Sequence, residues 1–95
     1  MINETEVKTL LDDIGIEDNG KIIKGMYVIE LQDSDDYARY YTLLDQYDEL
    51  ELNDTSSMSQ EFANVLTYVN DKFKAKLSAN FTDNRYIFSV EENKN

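Results

Sequence analysis

The clearest patterns in the chain are runs of apolar residues at helical spacing. The first run follows Asn3, which forms a capping box with Glu6, and it ends before Gly15, a residue suited to the left-handed C-terminal position of a helix. Its members are Val7, Leu10, Leu11 and Ile14. The spacing i, i+3, i+4, i+7 predicts an amphipathic helix over residues 4–14.

Two further stripes predict two further helices. A tyrosine-rich stripe predicts a helix over residues 35–47, capped by Asp33 or Ser34. Its members are Tyr37, Tyr40, Tyr41, Leu44 and Tyr47. The third stripe is the most regular one in the chain, and it follows a second capping box formed by Ser57 and Gln60. It consists of Met58, Phe62, Val65, Leu66, Val69 and Phe73.

Other segments carry the pattern of strands. Residues 21–31 are β-branched and aromatic with apolar residues on both alternating sets, which predicts a central strand or one whose second face another chain covers. Residues 17–20 predict the turn before it, because Asn-Gly tolerates positive φ. Residues 49–53 alternate and predict a short strand with its acids outward.

The C-terminal part predicts a β-hairpin around a two-residue loop at Asp83–Asn84. This register pairs Phe81 with Tyr86, Ala79 with Phe88 and Leu77 with Val90, so that all apolar partners share a face, and it places Lys76 opposite Glu91. Residues 92–95 are expected to fray.

The predicted order α-β-α-β-α-β-β indicates one α+β domain over residues 1–95, with about three helices on one face of a four-stranded, mainly antiparallel sheet. Whether strand 21–31 pairs with the hairpin or with strand 49–53 does not follow from the sequence. A hydrophobic fraction of 41% with seven Tyr and four Phe supports a folded core rather than a disordered acidic tail.

The composition excludes several kinds of chemistry. The chain has no Cys and no His, so disulfides, thiolate metal sites and a Ser-His-Asp relay are all excluded. We therefore expect no enzymatic activity and no cofactor. The chain shows no leader-like segment and no apolar run near the ~20 residues of a membrane span, which predicts a cytoplasmic protein.

Two weak motifs suggest a metal ion. Asp33, Asp35 and Asp36 with Glu30 could hold a hard cation through oxygen ligands, but acids in a first helical turn are also what the helix dipole favours. Residues 17–22 resemble the middle of a calcium-binding EF-hand loop. In that alignment Gly15 stands at the first ligand position and Met26 at the closing glutamate, so an ordinary Asn-Gly turn is the preferred interpretation and no metal is expected.

The distribution of charge is the strongest functional signal. Of the net charge of −11, residues 30–61 carry −9, with ten acids against Arg39. This sign disfavours direct binding to nucleic acid or membrane and favours a basic protein partner, although acidity can also serve solubility alone. Asp45, Asp48 and Glu49 lie where a helix C-terminus disfavours negative charge, so fold stability does not explain them.

These acids predict a ridge of carboxylates that contacts a basic DNA- or RNA-binding site on a partner, with a homodimer as a way to raise its charge density. The ridge consists of Glu30, Asp33, Asp35, Asp36, Asp45, Asp48, Glu49, Glu51 and Asp54. By size, acidity and lack of catalytic residues, the chain resembles the DNA-mimic and anti-defence proteins of bacteriophages, such as anti-restriction and anti-CRISPR inhibitors. The resemblance implies an inhibitor of a host nuclease, nucleoid protein or polymerase factor.

The tyrosine stripe offers an alternative function. Tyr37, Tyr40, Tyr41 and Tyr47 could stack on bases, but stacking platforms come with basic grooves, whereas these rings lie among aspartates. Core packing or a protein interface is the preferred interpretation. The protein would then be an assembly module that uses these rings or the second face of strand 21–31, and a carboxylate Ca²⁺ or Mg²⁺ site remains a further alternative.

Overall fold

The computed structural model describes residues 2–57 and 62–94, with the backbone alone for residues 54–57. Within this part the chain forms two helices, α1 (Glu4–Ile14) and α2 (Ser34–Gln46), and six strands: β1 (Lys21–Ile23), β2 (Met26–Leu31), β3 (Glu51–Ser57), β4 (Asn64–Val69), β5 (Phe73–Asn80) and β6 (Arg85–Glu92). The strands form one antiparallel sheet in the order β1-β2-β6-β5-β4-β3. The α+β class is therefore confirmed, whereas the predicted three helices and four strands are wrong.

The first helix forms as its caps predict. The side chain of Asn3 accepts a hydrogen bond from the backbone N–H of Glu6 at 3.2 Å, and Gly15 ends the helix with φ of 100°. Its four stripe residues are all buried, which confirms the predicted helix over residues 4–14. The second helix also forms, with Asp33 as its cap, although of its stripe only Tyr40 and Leu44 are fully buried.

The core lies between the two helices and one face of the sheet. Tyr40 of α2 packs edge-on against Phe88 of β6 with ring centroids 5.3 Å apart. The buried residues of the central strands alternate, as in Phe73, Ala75, Leu77 and Ala79 of β5, while Lys74, Lys76 and Ser78 point to the opposite face. This alternation is the pattern expected of an antiparallel sheet with its helices on one side.

The predicted third helix is wrong. Residues 64–69 form β4, an interior strand between β3 and β5, and residues 70–72 form the turn that follows it. The sequence Val-Leu-Thr-Tyr-Val is rich in β-branched and aromatic residues, and it is apolar on both faces of a strand, so it satisfies helical spacing at the same time. The capping residue Gln60 and Met58 lie outside the described residues.

The single strand predicted over residues 21–31 is instead a hairpin of β1 and β2. Its turn consists of Lys24 and Gly25, whose φ angles of 52° and 81° are both positive, the pattern of a type I′ turn. The turn with positive φ that the sequence predicts at Asn19–Gly20 forms instead at Lys24–Gly25. Gly20 has another role, since a Cβ at this position would lie 2.3 Å from the carbonyl oxygen of Val28.

The C-terminal hairpin forms, but its register differs from the predicted one by two residues. Ala79 pairs with Tyr86, Leu77 with Phe88 and Ala75 with Val90. The loop is longer than predicted, and within it the side chain of Asn80 accepts a hydrogen bond from the backbone N–H of Asp83 at 3.0 Å. A shift of two residues keeps every side chain on its predicted face, since the period of a strand is two.

Three further points complete the fold. The strand predicted at 49–53 is present as β3, which begins at Glu51. It pairs with β4, and the register of this pairing has two irregularities. After β6, Asn93 donates its backbone N–H to the carbonyl oxygen of Lys72 at 2.9 Å. Neither helix of the described residues combines the length and the apolar character needed to cross a membrane.

Candidate functional site

The acidic residues are concentrated in what we call the helical layer, residues 2–20 and 32–50, which comprises both helices and the segments that leave them. This layer holds twelve acids against two bases, Lys8 and Arg39, a net charge of −10. The rest of the chain adds only −1. The negative charge is therefore concentrated in the helical layer of the fold. This grouping includes the acids of α1, which the count along residues 30–61 leaves out.

Polar contacts fix the two halves of the helical layer to each other. The carboxylate of Asp18, beyond α1, accepts hydrogen bonds from the Tyr40 hydroxyl at 2.6 Å and from the Arg39 guanidinium at 2.9 Å, both on α2. These hydrogen bonds hold the pKa of Asp18 below its ordinary value despite partial desolvation, and the hydrogen bond from Tyr40 has the largest effect. Gly15 also lies close to Leu43 of α2, because a Cβ added at Gly15 would be 3.6 Å from Leu43 Cδ2. The acids of the two helices therefore form one rigid surface.

The structure divides the predicted ridge into separate groups. Asp33, Asp35 and Asp36 lie at the N-terminus of α2, where Asp33 caps the helix and Asp36 lies 3.6 Å from Arg39. Asp45, Asp48 and Glu49 lie at the other end of the helix. Arg39 interrupts the row between these two groups.

Three predicted ridge residues lie outside α2 and its ends. Glu30 is exposed on the face of the sheet opposite the helices, because its neighbours Ile29 and Leu31 point into the core. Glu51 is exposed at the start of β3. The side chain of Asp54 lies outside the described residues.

The second of these groups belongs to a larger cluster that we call the acidic end. Three neighbouring clefts of about 280, 240 and 400 Å³ surround the turn between β4 and β5. In the described part of the chain, Lys72 is the single basic residue that lines them. The carboxylates that line them are Glu6, Asp13, Asp48, Glu49, Glu51, Asp71 and Glu92.

The β4–β5 turn holds the acidic end in place. The side chain of Asn70 accepts hydrogen bonds from the backbone N–H groups of Lys72 at 2.9 Å and Phe73 at 2.7 Å, an arrangement typical of an Asx turn. The side chain of Asn93 donates to the carbonyl oxygen of Asn70 at 2.7 Å. Asp71 at the tip of the turn is thereby held beside Glu51 and Glu92.

The local electrostatics at the acidic end are unfavourable for the isolated protein. Neither helix has a basic residue in its last turn, although the C-terminus of a helix carries partial negative charge. Tyr47 follows α2 and donates its hydroxyl to Glu49 at 2.9 Å. Burial raises the pKa of Tyr47 to about 12, and the hydrogen bond to Glu49 and the charges of Glu49 and Asp13 add to the effect. In the part of the chain that the structure describes, Asp13, Asp48 and Glu49 form no salt bridge, so their charges remain available to a cationic partner.

The predicted tyrosine stripe does not stay together. Tyr40 is buried in the core and Tyr47 lies at the acidic end. Tyr37 and Tyr41 lie on the other side of α2, where 43% of Tyr41 is exposed. Beside them lies Tyr68 of β4, a residue that the sequence assigned to a helix and not to any site.

Several residues of the acidic end were not identified from the sequence. Glu6, Asp13, Asp71 and Glu92 come from α1, from the β4–β5 turn and from the end of β6, far apart along the chain. One signal was present in the sequence, because Asp12 and Asp13 end α1 against its dipole as Asp45 and Asp48 do at α2.

The described residues show no group of three or more acidic residues placed to hold a metal ion. Asp33 and Asp36, two members of the suggested cation site, accept hydrogen bonds from backbone N–H groups of the cap of α2. Asp18, in the segment that resembles an EF-hand loop, is engaged by Arg39 and Tyr40. These contacts give the acids a structural role.

Comparisons with family models, with curated proteins and with solved structures find no match for this chain.

Proposed function

We propose that this protein is a small acidic inhibitor that occupies the basic DNA- or RNA-binding site of a partner protein, as DNA-mimic and anti-defence proteins of phages do. The observation that carries the proposal is the segregation of charge, with −10 on the helical layer and −1 on the remainder of the chain. Acidity that serves solubility alone needs no such segregation, because interspersed charges keep a small domain soluble equally well.

The dimensions of the surface are compatible with this function. The molecule measures 33 × 27 × 26 Å, and a DNA duplex 33 Å long carries about 19 phosphate charges at one per 1.7 Å of axis. The helical layer presents twelve carboxylates within a molecule of the same length. A partner groove lined by Lys and Arg would therefore meet a charge density of the same order as that of nucleic acid.

Rigidity supports the same conclusion. Seven of the twelve carboxylates stand on two helices whose apolar faces are buried in one core, and the hydrogen bonds from Tyr40 and Arg39 to Asp18 join the segment after α1 to α2. A preorganised charged surface loses less side-chain and backbone entropy on binding than a flexible acidic tail.

The test is competition with DNA for the captured partner. Immobilised protein captures its partner from a bacterial lysate at about 50 mM salt, and fluorescence anisotropy then follows the release of a labelled DNA duplex from the purified partner. We expect this protein to displace the duplex and its affinity to fall at least about tenfold by about 200 mM salt, since charged contacts between proteins are screened. Capture that survives 1 M salt and leaves the duplex bound would contradict the proposal.

A matched pair of double variants locates the surface. Asp48→Asn with Glu49→Gln removes two charges from the acidic end, whereas Glu30→Gln with Asp83→Asn removes two exposed charges from the sheet side of the fold. We expect the first pair to weaken binding to the captured partner about tenfold or more and the second less than about threefold. Equal losses would show that net charge alone governs the interaction.

A further inference from the structure

A second exposed surface lies beside the helical layer. The described part of the chain exposes five large apolar side chains, of which Ile22 and Ile23 lie on the edge strand β1. The other three are Tyr41, Leu52 and Phe81, exposed by 43%, 44% and 55%. Phe81 packs edge-on against Tyr37 at 5.6 Å. We call Phe81, Tyr37, Tyr41 and Leu52 the aromatic strip.

The strip is exposed because two helices are too narrow to cover this sheet. The edge strands of a six-stranded sheet are about 24 Å apart, whereas two helices of about 10 Å diameter cover about 20 Å. In this protein α2 packs over β5 and β6, and α1 lies on the side of α2 that carries Leu43 and Arg39. The opposite side of α2, next to β4 and β3, has no third helix beside it in the described part of the chain.

A buried polar atom without a partner lies at this place. Tyr68 is 1% exposed, and its hydroxyl oxygen has no hydrogen-bond partner among the described residues. Burial raises the pKa of Tyr68 to about 12, with smaller contributions from Tyr41, Asp45 and Tyr37, three residues spaced i, i+4, i+8 on α2. Tyr68 pairs with Ala75 of β5 and with Leu52 of β3, so its side chain lies on the face of the sheet that α2 covers. A buried hydroxyl without a partner is destabilising because it has lost its hydrogen bonds to water, so the site lacks a hydrogen-bonding group.

The acid of this site also lacks a counterion. Asp45 is exposed in the last turn of α2, where the helix dipole disfavours its charge. In the described part of the chain Asp45 has no salt bridge. Arg39, the basic residue of α2, forms salt bridges with Asp18 and Asp36 on the other side of the helix.

The geometry points to the aromatic strip as the docking site for an arginine side chain of the partner protein, whose guanidinium would lie on the Tyr41 ring, pair with Asp45 and donate to the Tyr68 hydroxyl oxygen. This inference rests on the proposed function, because it assigns one contact of the basic partner. The Tyr68 hydroxyl is buried, so docking in this way requires the Tyr41 side chain, which is 43% exposed on the surface of α2, to change its rotamer.

Chemistry selects arginine over other occupants. A guanidinium stacks on an aromatic ring while its planar fork donates to two acceptors, whereas a lysine ammonium is a compact, strongly hydrated charge. An acidic segment would be repelled by Asp45 and the rest of the helical layer. A second copy of this chain would bring its own helical layer of charge −10 against the first, so a basic partner fits better.

The experiment is an NMR titration of the ¹⁵N-labelled protein with three peptides that differ only at the central residue: acetyl-Leu-Gly-Arg-Gly-Leu-amide and its lysine and citrulline analogues. We expect saturable shifts at the amides of Tyr41, Asp45 and Leu52 with the arginine peptide, about fivefold weaker binding of the lysine peptide and at least about tenfold weaker binding of the neutral citrulline peptide. Shifts of equal size with all three peptides would overturn the inference.

Three variants separate this site from general electrostatics. Asp45→Asn should raise the dissociation constant of the arginine peptide about tenfold, and Tyr68→Phe about threefold without lowering the urea midpoint of unfolding, since the hydroxyl has no partner to lose. Asp35→Asn, the same charge change at the opposite end of α2, should have less than about a twofold effect.

The outcomes distinguish the two proposals. Equal effects of Asp35→Asn and Asp45→Asn, or shifts confined to the acidic end, would overturn docking at the aromatic strip and leave the acidic surface in place as a binding site. Absence of saturable shifts with every peptide would also overturn it, while DNA competition for the captured partner tests the proposed function independently.

Discussion

At the scale of single residues, Asp18 makes the best-defined polar contacts of the helical layer. Its carboxylate accepts hydrogen bonds from Tyr40 and Arg39, and these lower its pKa. A carboxyl group whose pKa is lower in the folded state stabilises the fold above its unfolded pKa of about 3.9, and this stability is lost as pH falls through the folded value. Because Asp18 is about half exposed, solvent screening limits the contribution.

We expect Asp18→Asn to lower the free energy of unfolding by up to about 1 kcal/mol at pH 7. The difference from the native protein should shrink as pH falls below about 4, because the native carboxylate then becomes protonated. Urea unfolding of both proteins at pH 7 and pH 3 measures it, with Asp12→Asn, at an exposed position of α1, as the control. A difference that grows towards low pH would refute this account of Asp18.

At the scale of elements, the β1–β2 turn is the feature whose backbone is most demanding. Both Lys24 and Gly25 have positive φ, and lysine is poorly suited to that conformation, whereas Asn and Gly adopt it at low cost. The sequence Ile-Lys-Gly-Met thus forms a hairpin although its central lysine is not a preferred turn residue.

Substitutions in this turn should act in opposite directions. We expect Lys24→Asn to raise the free energy of unfolding by about 0.5 kcal/mol and Gly25→Ala to lower it by about 1 kcal/mol, because alanine at positive φ is strained. Nothing lies within 4 Å of a Cβ added at Gly25, so a loss there reports backbone conformation and not a clash. Chemical denaturation measures both, and a neutral Gly25→Ala would argue against the left-handed turn.

At the scale of the whole molecule, the segregated charge should make stability depend on salt. Carboxylates of the helical layer repel one another, and the Debye length falls from about 30 Å at 0.01 M to about 3 Å at 1 M salt. We expect the free energy of unfolding to rise by about 1 kcal/mol between 0.01 and 0.5 M sodium chloride.

A neutralised variant provides the control for this salt effect. The double variant Asp12→Asn, Glu17→Gln should be more stable than the native protein at low salt and should respond less to added salt, because two repelling charges are removed. A stability that falls with sodium chloride would indicate that attractive ion pairs, such as those of Arg39, outweigh the repulsion.

The extent to which structure could be predicted differs between local and non-local features. The helix from Glu4 to Ile14 and the cap at Asp33 depend on contacts within a few residues, and both are present as predicted. The segment 64–69 satisfies both helical and strand spacing, so only its neighbours β3 and β5, which offer backbone hydrogen bonds on both sides, decide in favour of a strand. The last hairpin pairs Asn80 with Arg85 around a loop longer than predicted, in which the side chain of Asn80 accepts a hydrogen bond from the backbone N–H of Asp83.

The same division applies to the candidate site. The sequence by itself determined the sign of the charge, its excess in residues 30–61 and the acids placed against the helix dipole, because these depend on composition and on local position. Only the tertiary structure decided that Glu6, Asp13, Asp71 and Glu92 join Asp48, Glu49 and Glu51, and that Tyr68 is buried with a hydroxyl that has no partner among the described residues. These groupings require the order of the strands and the side of the sheet that the helices cover, and long-range packing sets both.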